Sequence, residues 1–209
     1  MRAFTIILSL SLILAFFLFS CNKDSETEKE PETMHFSGLT ATDIQGQLMG
    51  YFGEDGFDAE DWKYDSVWTA KELETVSFDD SITLEGTYMD FDGEIPYCRR
   101  NTCVVAYPNP TSQVIAFYFR FSGIAKVKGC IVDSTLKPLA TFSAKDSIVQ
   151  FHFILGQYPG YENKFEPRIL YRLYYSCSTK DSLNFHKGHG DIMWCDEPYP
   201  ISECLKFIP

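Results

Sequence analysis

Hydrophobic and polar residues alternate through much of the second half of the chain. Over 114–121, Ile115, Phe117, Phe119 and Phe121 occupy every second position. Over 149–155, Val149, Phe151, Phe153 and Leu155 repeat the pattern, and over 169–177 Ile169, Tyr171, Leu173, Tyr175 and Cys177 do so again. A period of two puts each set on one face of an extended strand. Residues 126–133 and 139–143 form shorter strand-like runs. Turn-forming residues separate them: Pro108-Asn109-Pro110, Ser122-Gly123, Lys137-Pro138, 157–160 and 188–191. The last of these predicts a hairpin turn between strands at 183–186 and 192–195. Upstream, Glu72 to Phe78 and Ser81 to Glu85 predict a hairpin around Asp79-Asp80. Over 41–52, Ile44, Leu48 and Phe52 recur every fourth residue behind a capping threonine at 40 or 42, which predicts a short helix. Many short strands with alternating faces, and no alternation of β and α units, predict a mainly β protein. Its architecture is an antiparallel, Ig-like β-sandwich with a short N-terminal helix or irregular region.

The N-terminus follows another pattern. Arg2 precedes an uncharged run over 4–19 that only Thr5, Ser9 and Ser11 interrupt. A run of this length at the start of a chain reads as a signal peptide, because a spanning helix needs about 20 apolar residues. Residues 22–32 then contain no aliphatic or aromatic side chain. Such a segment buries too little to offset the entropy of ordering it. The expected organisation is a leader over 1–20, a flexible acidic tether over 21–33 and a β-sandwich domain over 34–209. Residues 34–86 are open to being a separate subregion.

Leu18-Phe19-Ser20-Cys21 resembles the lipobox of bacterial lipoproteins, with Phe19 where that family usually has a small residue. The resemblance implies a diacylglyceryl group on the Cys21 thiol and an acyl chain on its amine. Two or more acyl chains make anchoring stable, at about 0.8 kcal/mol per buried CH₂. Lys23, Asp24 and Glu26 resemble the acidic export signal of Bacteroidetes surface lipoproteins. Location in the outer membrane, facing the periplasm or the cell surface, follows from that likeness. A second resemblance begins at Tyr107-Pro108-Asn109-Pro110-Thr111 and continues through 114–121, 126–133 and 139–142. This stretch is similar to the opening of the Ig-like sorting domain of the type IX secretion system. About a hundred residues follow Tyr107, more than that domain has. The likeness therefore implies the sandwich fold and a Bacteroidetes-like origin, and not the sorting function.

Composition narrows the partners. Eighteen Lys and Arg against 29 Asp and Glu give a formal net charge of −11. Phosphate binding needs a basic surface, so nucleic acid is not an expected partner. Of seven cysteines, lipidation takes Cys21 and leaves Cys98, Cys103, Cys130, Cys177, Cys195 and Cys204. An even number in an exported chain predicts disulfides. Six cysteines allow 15 pairings, and the sequence does not fix one; two local pairs, Cys98 with Cys103 and Cys195 with Cys204, would leave Cys130 and Cys177 for a long-range bridge. The alternative, a Cys₄ zinc cluster, lacks the compact C-x₂-C spacing.

No P-loop, G-x-S-x-G or dinucleotide fingerprint is present. The acidic stretch over 52–64 does not follow the EF-hand order. His186, His189 and Asp191 are ligand types suited to zinc or iron, and they carry the alternative of a metal-dependent hydrolase. Trp62, Trp68, Tyr158, Tyr161 and Trp194 lie beside glycine, proline or acidic residues, or near a predicted turn. Loop aromatics of this kind stack on sugar rings or anchor protein partners. The expected function is therefore a non-catalytic, lipid-anchored cell-envelope module for binding or assembly, without a cofactor. Its partner is the membrane, reached through the N-terminal lipid, together with a glycan or an envelope protein. Capture of surface glycans for nutrient uptake is the alternative.

Overall fold

The computed structural model describes residues 34–36, 38–53, 61–63, 66–76, 78, 82–83, 103–120, 123–144, 150–154, 164–180, 185–195 and 201–208. Among the described residues, ten strands run in chain order. They are β1 (Leu39–Thr42), β2 (Leu48–Phe52), β3 (Ile82–Thr83), β4 (Cys103–Tyr107), β5 (Val114–Arg120), β6 (Ile124–Val132), β7 (Pro138–Ala144), β8 (Gln150–Ile154), β9 (Leu170–Thr179) and β10 (Phe185–Met193). In these same residues two short helices, α1 (Ala70–Thr75) and α2 (Ile201–Cys204), and a 3₁₀ turn (Leu205–Phe207) accompany them.

The protein is mainly β, and two sheets face each other. One has the order β10-β9-β6-β7-β3, and the other β4-β5-β8. All pairings are antiparallel except β3 with β7. The period-two sets read from the sequence supply the space between the sheets. Ile115, Phe117 and Phe119 on β5 meet Tyr171, Leu173, Tyr175 and Cys177 on β9 in one buried cluster. Phe117 stacks on Phe142 at 5.6 Å, and Phe119 meets Tyr175 edge-on at 5.3 Å. Gly129, opposite Phe142 in the register, makes the first contact possible: a Cβ there would overlap the Phe142 ring. Ile169 lies just outside β9 and is exposed, so the apolar set on this strand begins at Tyr171.

Strand β9 is buried on its other face as well. Leu170, Arg172, Tyr174 and Ser176 point away from the sandwich core and are buried. A third layer covers them. Trp68, Val76 and Leu136, with Met34 and Phe78, pack on Tyr174, Cys130 and Val132. Phe36, Leu39, Cys204, Leu205 and Ile208 pack on Leu170, Met193 and Cys195. The two ends of the folded region thus close over the outer face of the larger sheet.

Three sequence-based expectations change. Residues 41–52 form the hairpin β1–β2 and not a helix. Asp43 accepts hydrogen bonds from the Gln45 and Gln47 N–H groups, and Gly46 adopts φ 73°, which turns the chain where a helix would continue. Glu72 belongs to α1 and not to a hairpin strand. Its N–H donates to the Thr69 hydroxyl, and its carboxylate accepts from the Thr69 N–H, the reciprocal capping box of a T-x-x-E sequence. Residues 188–191 are not a turn: they run through the middle of β10, paired with Arg172–Tyr175.

Candidate functional site

The expected binding aromatics are covered. Trp62, Trp68 and Trp194 are buried and take part in packing, which corrects their reading as loop platforms for a ligand. Trp62 lies over Gly190, where a Cβ would overlap its indole, and parallel to Tyr175 at 6.4 Å. Trp194 packs against Phe165 at 5.3 Å. Trp68 meets Tyr174 edge-on at 4.9 Å, with the Lys187 ammonium 5.0 Å above its ring. Large flat side chains in the connecting segments are used here to close sheet faces and edges. Tyr158 and Tyr161 lie outside the described residues.

The candidate metal ligands are separated by the strand itself. Within β10, His186 shares a face with Gly188 and Gly190, whereas His189 and Asp191 point to the other. His189 stands 5.8 Å from the Tyr174 ring, and Asp191 is engaged by Arg172. Among the described residues no group of three metal-ligating side chains converges.

The cysteines divide. Cys195 and Cys204 form a disulfide that ties α2 to the end of β10. Cys130 and Cys177 are free and buried, which corrects the expected long-range bridge. Across β6 and β9, Cys177 pairs with Val127 and Cys130 with Tyr174. An odd offset of three residues puts the two thiols on opposite faces of one sheet. Burial raises the pKa of both, that of Cys130 to about 12. Cys21, Cys98 and the side chain of Cys103 lie outside the described residues.

What the fold does bring together is a charged cluster beneath the third layer. Arg172 Nε donates to Asp191 Oδ1 at 2.6 Å and Nη2 to Oδ2 at 2.8 Å, a two-pronged pair between adjacent strands. Arg172 Nη1 lies 3.9 Å from Glu72 Oε1, which also accepts the Tyr174 hydroxyl. The Phe36 ring covers the guanidinium at 5.5 Å. Asp61 accepts the Asp191 N–H at 2.8 Å and, at 3.4 Å, the Thr40 hydroxyl. Segments 61–63 and 66–76 are thus tied to β9 and β10 through their carboxylates.

Electrostatics follow from burial and partners. Burial opposes the Glu72 charge, but hydrogen bonds from Tyr174 and Thr69 outweigh it and hold the carboxyl below its ordinary value. Burial also works against Arg172, and its bonds to Asp191 more than compensate, so it stays protonated at any ordinary pH. Tyr174 is pushed well up by burial and by its bond to Glu72.

Asn109, in the Tyr107–Thr111 segment, is a second hub and is fully buried. Its side-chain amide donates to the carbonyls of Thr40 and Asp191 at 3.1 and 2.9 Å, and its oxygen accepts the Met193 N–H at 3.1 Å. Its backbone exchanges two hydrogen bonds with Thr42. Both prolyl bonds of this segment, before Pro108 and Pro110, are cis. One residue therefore links the hairpin, the β4–β5 connection and β10. Sequence reasoning singled out Asp191 but missed Glu72, Asn109 and Arg172. The T-x-x-E capping pattern was the available signal for Glu72. Nothing in the alternation around Arg172 marks it as covered. No protein-family model, curated protein or solved structure matches the chain.

Proposed function

We propose that the protein is an exported lipoprotein whose β-sandwich serves a non-catalytic binding or assembly role at the cell envelope. The observation that carries this reading is the N-terminal pattern: an uncharged run over 4–19, then Ser20-Cys21, then a polar stretch over 22–32. The folded part supports it in two ways. Its charged cluster is consumed in holding layers together, and a disulfide closes its C-terminal end. Assembly with an envelope protein is favoured over glycan capture, because three of the five candidate aromatics are buried. The hydrolase alternative loses its basis with His186 and His189 on opposite faces of β10.

The test is the mass of the N-terminal peptide together with membrane fractionation. Acylation at Cys21, and release of the Cys21→Ser protein from membranes, is the expected result. An unmodified Cys21 in a membrane-free protein overturns the reading. Saturable heat on titration with a polysaccharide panel would replace assembly by glycan capture.

A further inference from the structure

Seven large hydrophobic side chains are conspicuously exposed among the described residues, and four of them fall within the β1–β2 hairpin. Ile44 in the turn is 67% exposed, and Leu48, Met49 and Tyr51 on β2 are 41%, 49% and 39% exposed. The hairpin is also stripped of charge. Between Met34 and Gly53 the only acidic or basic residues are Asp43 and His35, in a chain where 22% of residues are charged. Asp43 is turned onto its own loop, accepting the Gln45 and Gln47 N–H groups. Strand β1, by contrast, is buried, and its Thr42 exchanges two backbone hydrogen bonds with Asn109 and donates its hydroxyl to the Ala106 carbonyl, so the hairpin is a firm support for what β2 displays.

From these observations we infer that the turn and β2 dock onto the surface of a zwitterionic phospholipid bilayer. The inference rests on the lipoprotein reading for its geometry. Residues 22–33 span at most about 43 Å when fully extended, so a Cys21 anchor keeps the domain close to the membrane. The described residues begin at Met34, pinned through its N–H to the Ser134 carbonyl, and reach β1 five residues later. Among the described residues, the first hairpin after the anchor is therefore the uncharged apolar one. A net charge of −11 sets two copies of the chain against each other and repels anionic surfaces, whereas neutral headgroups accept apolar side chains without that penalty.

The experiment places a benzophenone amino acid at Met49 of the full-length protein in its native membrane, with Lys137, on the exposed β6–β7 turn, as the control position. A lipid adduct at Met49 and none at Lys137 is expected. Introducing Ile44→Asn with Leu48→Asn should lower the adduct yield by about tenfold or more, since two apolar side chains leave the interface. A dimer-sized adduct, an adduct to another protein, or no adduct at Met49 overturns the proposal. The N-terminal peptide mass reports the anchor separately. Where no acyl group is found, the lipoprotein reading fails alone, and the unacylated full chain is then photolysed with phosphatidylethanolamine vesicles containing a minor fraction of phosphatidylglycerol. Absence of a lipid adduct there overturns the hairpin docking by itself.

Discussion

Arg172 shows how a single buried charge constrains its surroundings. A guanidinium removed from water is tolerated only when its donors meet charge at close range. Asp191 supplies two hydrogen bonds, and Glu72 stands at 3.9 Å. Replacing Asp191 by Ala removes both hydrogen-bonded acceptors and leaves only Glu72 at 3.9 Å among its ion-pair partners, which should cost about 3–5 kcal/mol, readable as a shift in the denaturation midpoint. Removing both partners, with Arg172→Met and Asp191→Leu, should recover most of that loss, because the pair itself contributes little net stability. A double variant no more stable than the single one would mean that Arg172 matters through its packing under Phe36. The sequence marked Asp191 as polar chemistry but could not tell metal ligand from counter-ion, since that depends on the residue across the strand.

Helix α1 is six residues long and too short to persist by propensity alone. Two things hold it: the Thr69–Glu72 capping box and the bonds from Glu72 to the sheet. Its carboxyl is held below the ordinary value of 4.5, so folding favours the charged form. The resulting stability is complete above that value and is lost as pH falls through the lower folded-state pKa. A stability-versus-pH curve of the intact protein should therefore drop below about pH 4.5, and Glu72→Gln should flatten part of that drop. An unchanged slope would show that Glu72 gains nothing by ionising in the fold. The capping box was legible as T-x-x-E, yet the threonines and valine around it suggested a strand. Propensity here yielded to one reciprocal pair of hydrogen bonds. Likewise, the glycines at 188 and 190 read as a turn, whereas they are strand positions cleared for Tyr175, the Lys63 carbonyl and Trp62.

Across the whole molecule, the free thiols report on two layers. Cys177 faces the space between the sheets, and Cys130 faces the third layer. Neither should react with iodoacetamide in the native protein near neutral pH. Both are buried, and burial disfavours the thiolate. On titration with denaturant without reductant, both should become labelled in one transition, as expected if the third layer and the sandwich unfold together. Labelling of Cys130 at lower denaturant would show that the cover opens by itself. The disulfide closes a loop of sequence separation 9, and its reduction should cost about 2–3 kcal/mol by the chain-entropy relation.

By itself the sequence determined the strands whose alternation is strict: β5, β9 and, with small shifts at the ends, β6, β7 and β8. Their side chains alternate because one face must leave water, and that requirement is written locally, two residues at a time. It also offered Cys195 with Cys204 as a local pair, nine residues apart, and the fold makes that pairing. Only the tertiary structure decided what covers the outer face of β9, and hence that Arg172, Tyr174 and Asp191 are inside. That decision depends on segments distant in sequence: Glu72 lies 102 residues from the Tyr174 it bonds. Register across β6 and β9 likewise put Cys130 and Cys177 on opposite faces, because a strand's face is a matter of parity with its neighbour and not of residue type.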